Sequence, residues 1–274
     1  MERKNLSFFT RVRRYVRRKC KAACNFLHVY GADERKLLQY QNKYAGKRCF
    51  IIGNGPSLKT EDLELLQLKG EYSFACNKIY KIFEKTSWRP SFYACTDFMV
   101  FGQNASEILS LKGFPKFLGC NLPFQKQIRQ EQENIILNYE VKKIEKTKFN
   151  PRATFICSGG SVVFVMITLA WMMGFRELYL IGCDHEYKFF DGKSGGETEV
   201  TDEVNQDYFT ENYMRPGEVM LIGDLKRAQQ GYQLAKEYIE AHGGKIYNAT
   251  HGGKLEVFPR ADFYHVLEKG TRKD

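Results

Sequence analysis

The chain has 274 residues, of which 43% are hydrophobic and 27% charged, and its formal net charge is +10. That balance excludes a disordered polypeptide and supplies enough apolar material for the core of one α/β domain with appendages. No apolar run reaches the roughly 18 residues of a membrane span; the nearest, Val162 to Met173, stops at Gly174 and reads as a buried helix.

In chain order, the first feature is a basic segment. Residues 1–30 hold nine Arg and Lys against Glu2 alone, so the rest of the chain is nearly neutral. Leu6, Phe8, Phe9, Val12, Tyr15, Val16, Phe26 and Leu27 are interleaved with these charges. The mixture fits a basic amphipathic helix on an anionic membrane surface, or a solvated helix packed on its own domain. A single charge run without a recognised motif argues against nucleic acid as a partner. The N-terminus has charge but no apolar stretch, so no secretory signal is expected. Residues 1–44 are therefore taken as a basic amphipathic segment and 45–274 as the catalytic domain. Eight cysteines show no CxxC or Cys/His zinc spacing, and most stand in or beside apolar segments. They read as small buried residues in a reducing cytoplasm, with no metal site.

From Arg48 the chain alternates. Strands are expected at 48–53, 72–76, 91–95, 116–120, 134–138, 176–182 and 245–248. Helices are expected at 59–68, 98–111, 123–132, 159–173, 224–241 and 261–269. This alternation predicts an α/β fold with a doubly wound, mostly parallel sheet, whose ligands collect at the carboxyl ends of the strands.

Those ends are polar. The first strand runs into Gly53-Asn54-Gly55-Pro56-Ser57, then an acidic, Leu-rich helix start. Such a turn can bring backbone N–H groups to a phosphate, or it can be an ordinary βα connection. The next strands deliver Asn77, Asp97 and Asn121. Ser158-Gly159-Gly160-Ser161 opens the central helix and could hold an anion or a sugar hydroxyl. Leu178 to Gly182 lead to Asp184, His185 and Tyr187, and the last strand ends in Asn248-Ala249-Thr250-His251-Gly252-Gly253. Polar strand ends are commonplace singly, but together they predict a binding crevice. Residues 188–222 interrupt the alternation and carry Tyr208, Phe209, Tyr213 and Met214, as expected of a mobile lid or a solvated insertion.

Several of these pieces resemble known families in the same order: Gly53-Asn54-Gly55-Pro56-Ser57-Leu58, Cys76-Asn77-Lys78-Ile79-Tyr80, Cys157-Ser158-Gly159 and Leu178-Tyr179-Leu180-Ile181-Gly182-Cys183-Asp184. The chain resembles the Campylobacter-type bacterial sialyltransferases, which use CMP-activated sialic acid. It also resembles the 6-hydroxymethylpterin diphosphokinase-like (MptE-like) family, whose domain occurs in motility-associated flagellin glycosyltransferases. The ending Ile246 to Glu256 is closest to the MptE-like group. The resemblance implies a Rossmann-like nucleotide fold. It places a CMP donor on Asn54 and Asn77 and at Ser158 and Gly159, with Tyr187 near the donor phosphate. The sialyltransferase histidine that precedes the helix after the lid has no counterpart in Met220 to Arg227. His185, beside Asp184, is the substitute base expected here, ahead of Asp224 and His251.

Two activities follow. One is a bacterial glycosyltransferase using a nucleotide-activated, CMP-linked sugar in surface polysaccharide (capsule) or lipopolysaccharide assembly. Its acceptor would be a glycan or lipid-linked, and it would sit peripherally on the inner face of the membrane. The alternative is a diphosphokinase moving pyrophosphate from ATP to a pterin-like alcohol, with Mg²⁺ held by Asp97 and Asp184 at adjacent strand ends.

Overall fold

The computed structural model describes residues 31–142, 144, 147–151, 155–188, 196–201, 203–215 and 217–269. The expected basic helix within residues 1–30, residues 189–195, 202 and 216 of the expected lid, and residues 270–274 lie outside them.

The strands are β1 (Arg48–Ile52), β2 (Tyr72–Cys76), β3 (Phe92–Cys95), β4 (Lys116–Gly119), β5 (Asn134–Glu140), β6 (Phe155–Cys157), β7 (Glu177–Ile181), β8 (Glu197–Glu199), β9 (Val219–Leu221) and β10 (Lys245–Asn248). Eight of them form one sheet in the order β10-β7-β1-β2-β3-β4-β5-β6, and every pairing in it is parallel. This is a Rossmann-like α/β fold. All seven expected strands are present. Strand β6 was not expected, because three residues beside a glycine pair give no periodic signal.

The helices are α1 (Ala32–Leu38), α2 (Thr60–Leu68), α3 (Phe98–Gln103), α4 (Ala105–Ser110), α5 (Gln125–Gln130), α6 (Val162–Met172), α7 (Leu225–Ala241) and α8 (Phe263–Glu268). The helix expected over 98–111 is two, broken at Asn104, whose Nδ2 donates to Val100 O at 2.9 Å.

Because both faces of a parallel sheet are covered, its central strands are continuously apolar. All five residues of β1 are buried. Helix α6 has ten buried residues and lies across β1, β2 and β3. Phe164, Met166, Leu169 and Ala170 share that core with Phe74, Leu178 and Leu180. The opposite face packs Phe50, Ile52 and Ile181 against Leu63 and Leu66 of α2 and Phe263 of α8. Burying each such large side chain contributes about 1.5–3 kcal/mol.

Residues 31–44, the described part of the segment expected over 1–44, pack on the domain. Leu37 is in the core, Asn42 N and Tyr44 N donate to Met172 O and Met173 O, and the Tyr44 ring stacks on Phe175 at 5.0 Å. Tyrosines interleaved with lysines gave no sequence sign of this packing.

The strand order reverses between β1 and β7: the chain winds outward from β1 to β6, then returns to β7 on the other flank. Doubly wound sheets bind ligands at this switch point, beyond the carboxyl ends of the strands.

Candidate functional site

A cavity of about 270 Å³ opens at the switch point. Its floor comes from the ends of β1, β2, β3 and β7, and one wall comes from Gly160, Ser161 and the start of α7. Residues Tyr208 to Leu221 supply its cover.

The glycine turn is shaped by β7. Gly53 N donates to Ile181 O at 2.8 Å and Gly55 N to Gly182 O at 2.9 Å. A Cβ on Gly53 would stand 2.3 Å from Gly182 O, and one on Gly55 would stand 1.9 Å from Asp184 Oδ2. These glycines allow the ends of β1 and β7 to touch. Their N–H groups are committed to that contact, so the expected phosphate cradle of glycine N–H groups is not free at Gly53 and Gly55.

Asp184 is locked into the turn. Its Oδ2 accepts from Ser57 Oγ at 2.8 Å, and its backbone O accepts from Lys254 N at 2.7 Å. Burial raises its pKa, and the Ser57 hydrogen bond works against that rise. The next residue, His185, has a left-handed backbone (φ 57°), as does Asn77 at the end of β2 (φ 51°). Non-glycine residues held there carry strain of order 1–3 kcal/mol, and such positions concentrate at active sites. Burial lowers the His185 pKa below 6.5, opposed by a hydrogen bond with the Gln229 side chain. The imidazole is therefore neutral at pH 7 and able to accept a proton.

Two asparagine carbonyls are unanswered. Asn54 Nδ2 donates to Cys76 O at 3.1 Å, which leaves Asn54 Oδ1 buried without a hydrogen-bond partner. Asn77 Oδ1 is likewise buried and unpartnered. Both residues line the cavity. Leaving such groups unsatisfied costs about 1–3 kcal/mol each, and a bound ligand with N–H or O–H donors would recover it.

The remaining expected residues fall into two groups. Asp97, Gly160, Ser161, Asp184, His185 and Tyr187 line the cavity together with Gly53, Asn54, Gly55 and Asn77. Asp97 caps α3, its Oδ1 accepting from Met99 N and Val100 N at 2.8 and 3.1 Å. Ser161 caps α6, its Oγ accepting from Val163 N, and lies 2.9 Å from Tyr232 OH. Burial pushes the Tyr187 hydroxyl up to about 12, so it stays protonated and can donate.

Pro56, Ser57, Asn121, Ser158, Gly159, Asn248, Thr250 and His251 are not on the cavity lining. Asn121 Nδ2 donates to Thr96 O. Ser158 is buried behind Gly160, and Gly159 packs against α7, where a Cβ on Gly231 would stand 2.0 Å from Gly159 O. Asn248 Nδ2 donates to Leu255 O and its Oδ1 accepts from Thr250 N, while Thr250 Oγ1 accepts from Cys183 N at 3.2 Å. These two residues knit the last strand end to β7. His251 lies 2.8 Å from the buried Asp62 carboxylate, whose other oxygen accepts from Tyr264 OH.

Asp97 and Asp184 do not stand at adjacent strand ends: β1 and β2 lie between β3 and β7. Three strand spacings put them roughly 14 Å apart across the sheet, too far to share one Mg²⁺ whose ligands sit at about 2.1 Å. Among the described residues no three His, Cys, Asp or Glu side chains are grouped to hold a metal.

Of the other cavity residues, Tyr208, Tyr213 and Met214 belong to the expected lid and Asp224 is the weaker candidate base, whereas Asp207, Met220 and Tyr232 gave no sequence signal. Strands β8 and β9 pair antiparallel, and Val200, Val204, Tyr213, Met214 and Met220 form a small core of their own. This cover is fastened to the floor. Phe209 N donates to Asn54 O at 3.2 Å, and Lys78 Nζ pairs with Glu218 at 2.5 Å, the lysine side chain being 1% exposed. Asp224 caps α7 through Arg227 N and lines the cavity.

Comparison with known proteins agrees with this architecture. The Maf glycosyltransferase from Magnetospirillum magneticum AMB-1 superimposes with a TM-score of 0.52 at 15% identity, over 85% of this chain and 38% of that one. The present chain thus spans well under half of that protein. The sialyltransferase CstII from Campylobacter jejuni, solved with the substrate analogue cytidine-5'-monophosphate, gives a TM-score of 0.47 at 16% identity, over 80% of this chain and 86% of that one. No curated protein matches the sequence. Among the described residues no helix is long and apolar enough to cross a membrane. The model of one family, 6-hydroxymethylpterin diphosphokinase MptE-like, matches residues 24–189, more than half of the sequence, and the chain belongs to that family.

Proposed function

We propose that this protein is a transferase that moves a sugar from a CMP-linked donor to an acceptor hydroxyl. The reading is carried by the two buried, unpartnered oxygens, Asn54 Oδ1 and Asn77 Oδ1, at the ends of the neighbouring strands β1 and β2 in the switch-point cavity. They require a ligand with hydrogen-bond donors, such as ribose hydroxyls or a base amine. The ordered resemblance of these turns to CMP-using sialyltransferases supports cytidine as that base.

In the proposed reaction the acceptor O–H proton passes to a ring nitrogen of neutral His185. The acceptor oxygen then bonds to the anomeric carbon. The bond from that carbon to the phosphate oxygen breaks, and CMP departs. Tyr187, Tyr208 and Tyr213 all have hydroxyl pKa values raised by burial, so they remain O–H donors for the phosphate charge. Hydroxyls whose acidic neighbours are Asp97 and Asp207 suit one leaving phosphate better than the chain of phosphates in ATP.

The family name favours a second reading, the diphosphokinase with ATP, Mg²⁺ and a pterin-like alcohol. Thermal unfolding with CMP, UDP, ATP plus Mg²⁺, and a pterin separates the two. Stabilisation by CMP is expected. Stabilisation by ATP–Mg²⁺ and pterin, with none by CMP, replaces the first reading by the second.

The natural setting of the proposed activity is capsule or lipopolysaccharide assembly, with residues 1–30 holding the enzyme on the inner face of the membrane near a lipid-linked acceptor. Removing those residues should release the protein from anionic vesicles in a flotation assay; unchanged binding discards the membrane role.

A further inference from the structure

Arg227 occupies the first turn of α7, directly behind the cavity wall. A Cβ on Gly160 would lie 2.9 Å from its Cγ, and Gly160, Asp224, Leu225 and Ala228 all line the cavity. The guanidinium donates from Nη2 to Lys142 O and, at 3.4 Å, to Ser158 Oγ. Both are neutral oxygens. Its Nε is buried and has no hydrogen-bond partner.

Ser158, itself 4% exposed, is the inner end of a short polar chain. Its Oγ accepts from Gly160 N at 3.5 Å. Burial raises the pKa of the Tyr139 hydroxyl, and the side chains of Thr96 and Ser158 act against that rise. This chain fixes one edge of the guanidinium and leaves its Nε edge unanswered. A partly buried guanidinium satisfied only by neutral oxygens is costly, because its desolvation is not offset by an opposite charge. Its flat fork is also the side chain best matched to a carboxylate or phosphate.

The carboxylates on the same cavity do not supply that charge. Asp97 Oδ1 accepts from the amides of α3, Asp224 Oδ1 from Arg227 N itself, Asp207 Oδ1 from Lys188 N, and Asp184 Oδ2 from Ser57, while Glu186 pairs with Lys254. Among the described residues Arg227, one layer behind Gly160, is thus a cation without an anion.

We propose that Arg227 is a specificity-determining residue that takes an oxyanion of the donor, either the nucleotide phosphate or a carboxylate on the transferred sugar. The inference rests on the CMP-linked donor reading. It assigns the charge recognition to α7, on the opposite side of the cavity from the asparagines that receive the nucleoside.

The test compares full-length protein with Arg227→Met and Arg227→Lys. Each is titrated calorimetrically with cytidine, CMP, and CMP-N-acetylneuraminic acid as a carboxylate-bearing probe. Arg227→Met should weaken an anionic ligand by about 10- to 100-fold, the range of one charge-assisted hydrogen bond. Cytidine affinity should stay unchanged, and Arg227→Lys should recover part of the loss. A loss already seen with CMP identifies the phosphate; a loss confined to the sugar conjugate identifies the carboxylate. Equal affinities of wild type and Arg227→Met for all three ligands overturn the role of Arg227 while leaving the donor reading intact. An equal loss for cytidine also overturns it, since that is structural damage. Arg227→Lys keeps the charge and decides the matter where Arg227→Met fails to fold. Wild-type protein that binds none of the three overturns the donor reading itself.

Discussion

The seam between β1 and β7 and the cover formed by residues 196–222 bound the same cavity on different physical terms. At the seam, Gly53 and Gly55 press against Gly182 and Asp184 with no room for a single added carbon, and their amides are spent on β7 carbonyls. The cover has a core of five buried side chains and is tied down by a handful of polar contacts. These include Lys78 to Glu218, Phe209 N to Asn54 O, and Gln103 Nε2 to Val219 O. Rigid packing fixes where a ligand and a base stand. A few separable bonds allow the ligand to be enclosed and released.

The largest effect is expected from violating the seam. Gly55→Val places carbons on Asp184 Oδ2 and should cost more than about 3 kcal/mol, the upper end of overpacking penalties. Little soluble folded protein should remain, as read by circular dichroism and thermal unfolding. A variant that melts like wild type breaks the contrast.

Next is His185→Ala, which removes the proposed base while sparing the seam. Turnover should fall about 10²–10⁴-fold with CMP affinity retained. The pH profile sharpens the assignment. Burial lowers the imidazole pKa, so neutral His185 persists as the medium is acidified, and the acid limb of kcat should lie below 6.5. By the same sign, the stability its burial contributes is present above 6.5 and is lost as pH falls through the lowered value. An acid limb above 6.5 removes His185 from the role.

The smallest effect belongs to the cover. Lys78→Met strands Glu218 and should loosen residues 196–222 by about 1–3 kcal/mol. Limited proteolysis should cut there faster and KM should rise, while the global melting temperature moves little. A full loss of fold instead would make the cover part of the rigid body.

Much of the frame was legible in the sequence, because buried parallel strands are short apolar runs that end abruptly. Arg48 to Ile52 followed by Gly-Asn-Gly, and Leu178 to Ile181 followed by Gly-Cys-Asp, announce their own boundaries. The partner of each strand end was not legible. That Gly55 serves Asp184 depends on β1 lying beside β7, a pairing between distant parts of the chain. The polar ends of β4 and β10 look like those of β1 and β2, yet Asn121, Asn248 and Thr250 turn their side chains to neighbouring backbone. Glu197-Thr198-Glu199 has no apolar face, so β8 could not be seen before its pairing with β9. Arg227 was one cation among 42; only burial distinguishes its unanswered Nε.

The pairing of β1 with β7 also sets a timetable. Strands β1 to β5 can associate as each emerges, with neighbours close in sequence, whereas β1 must wait on its other flank until β7 exists. Contacts between distant segments close late and slowly. Until then the glycine turn has no carbonyls to bind, and the apolar edge of β1 is exposed to other chains, which makes it the aggregation-prone edge of a nascent polypeptide. Competence for nucleotide would therefore appear in one late step, so ligand binding during refolding reports the docking of β7 rather than the growth of the sheet.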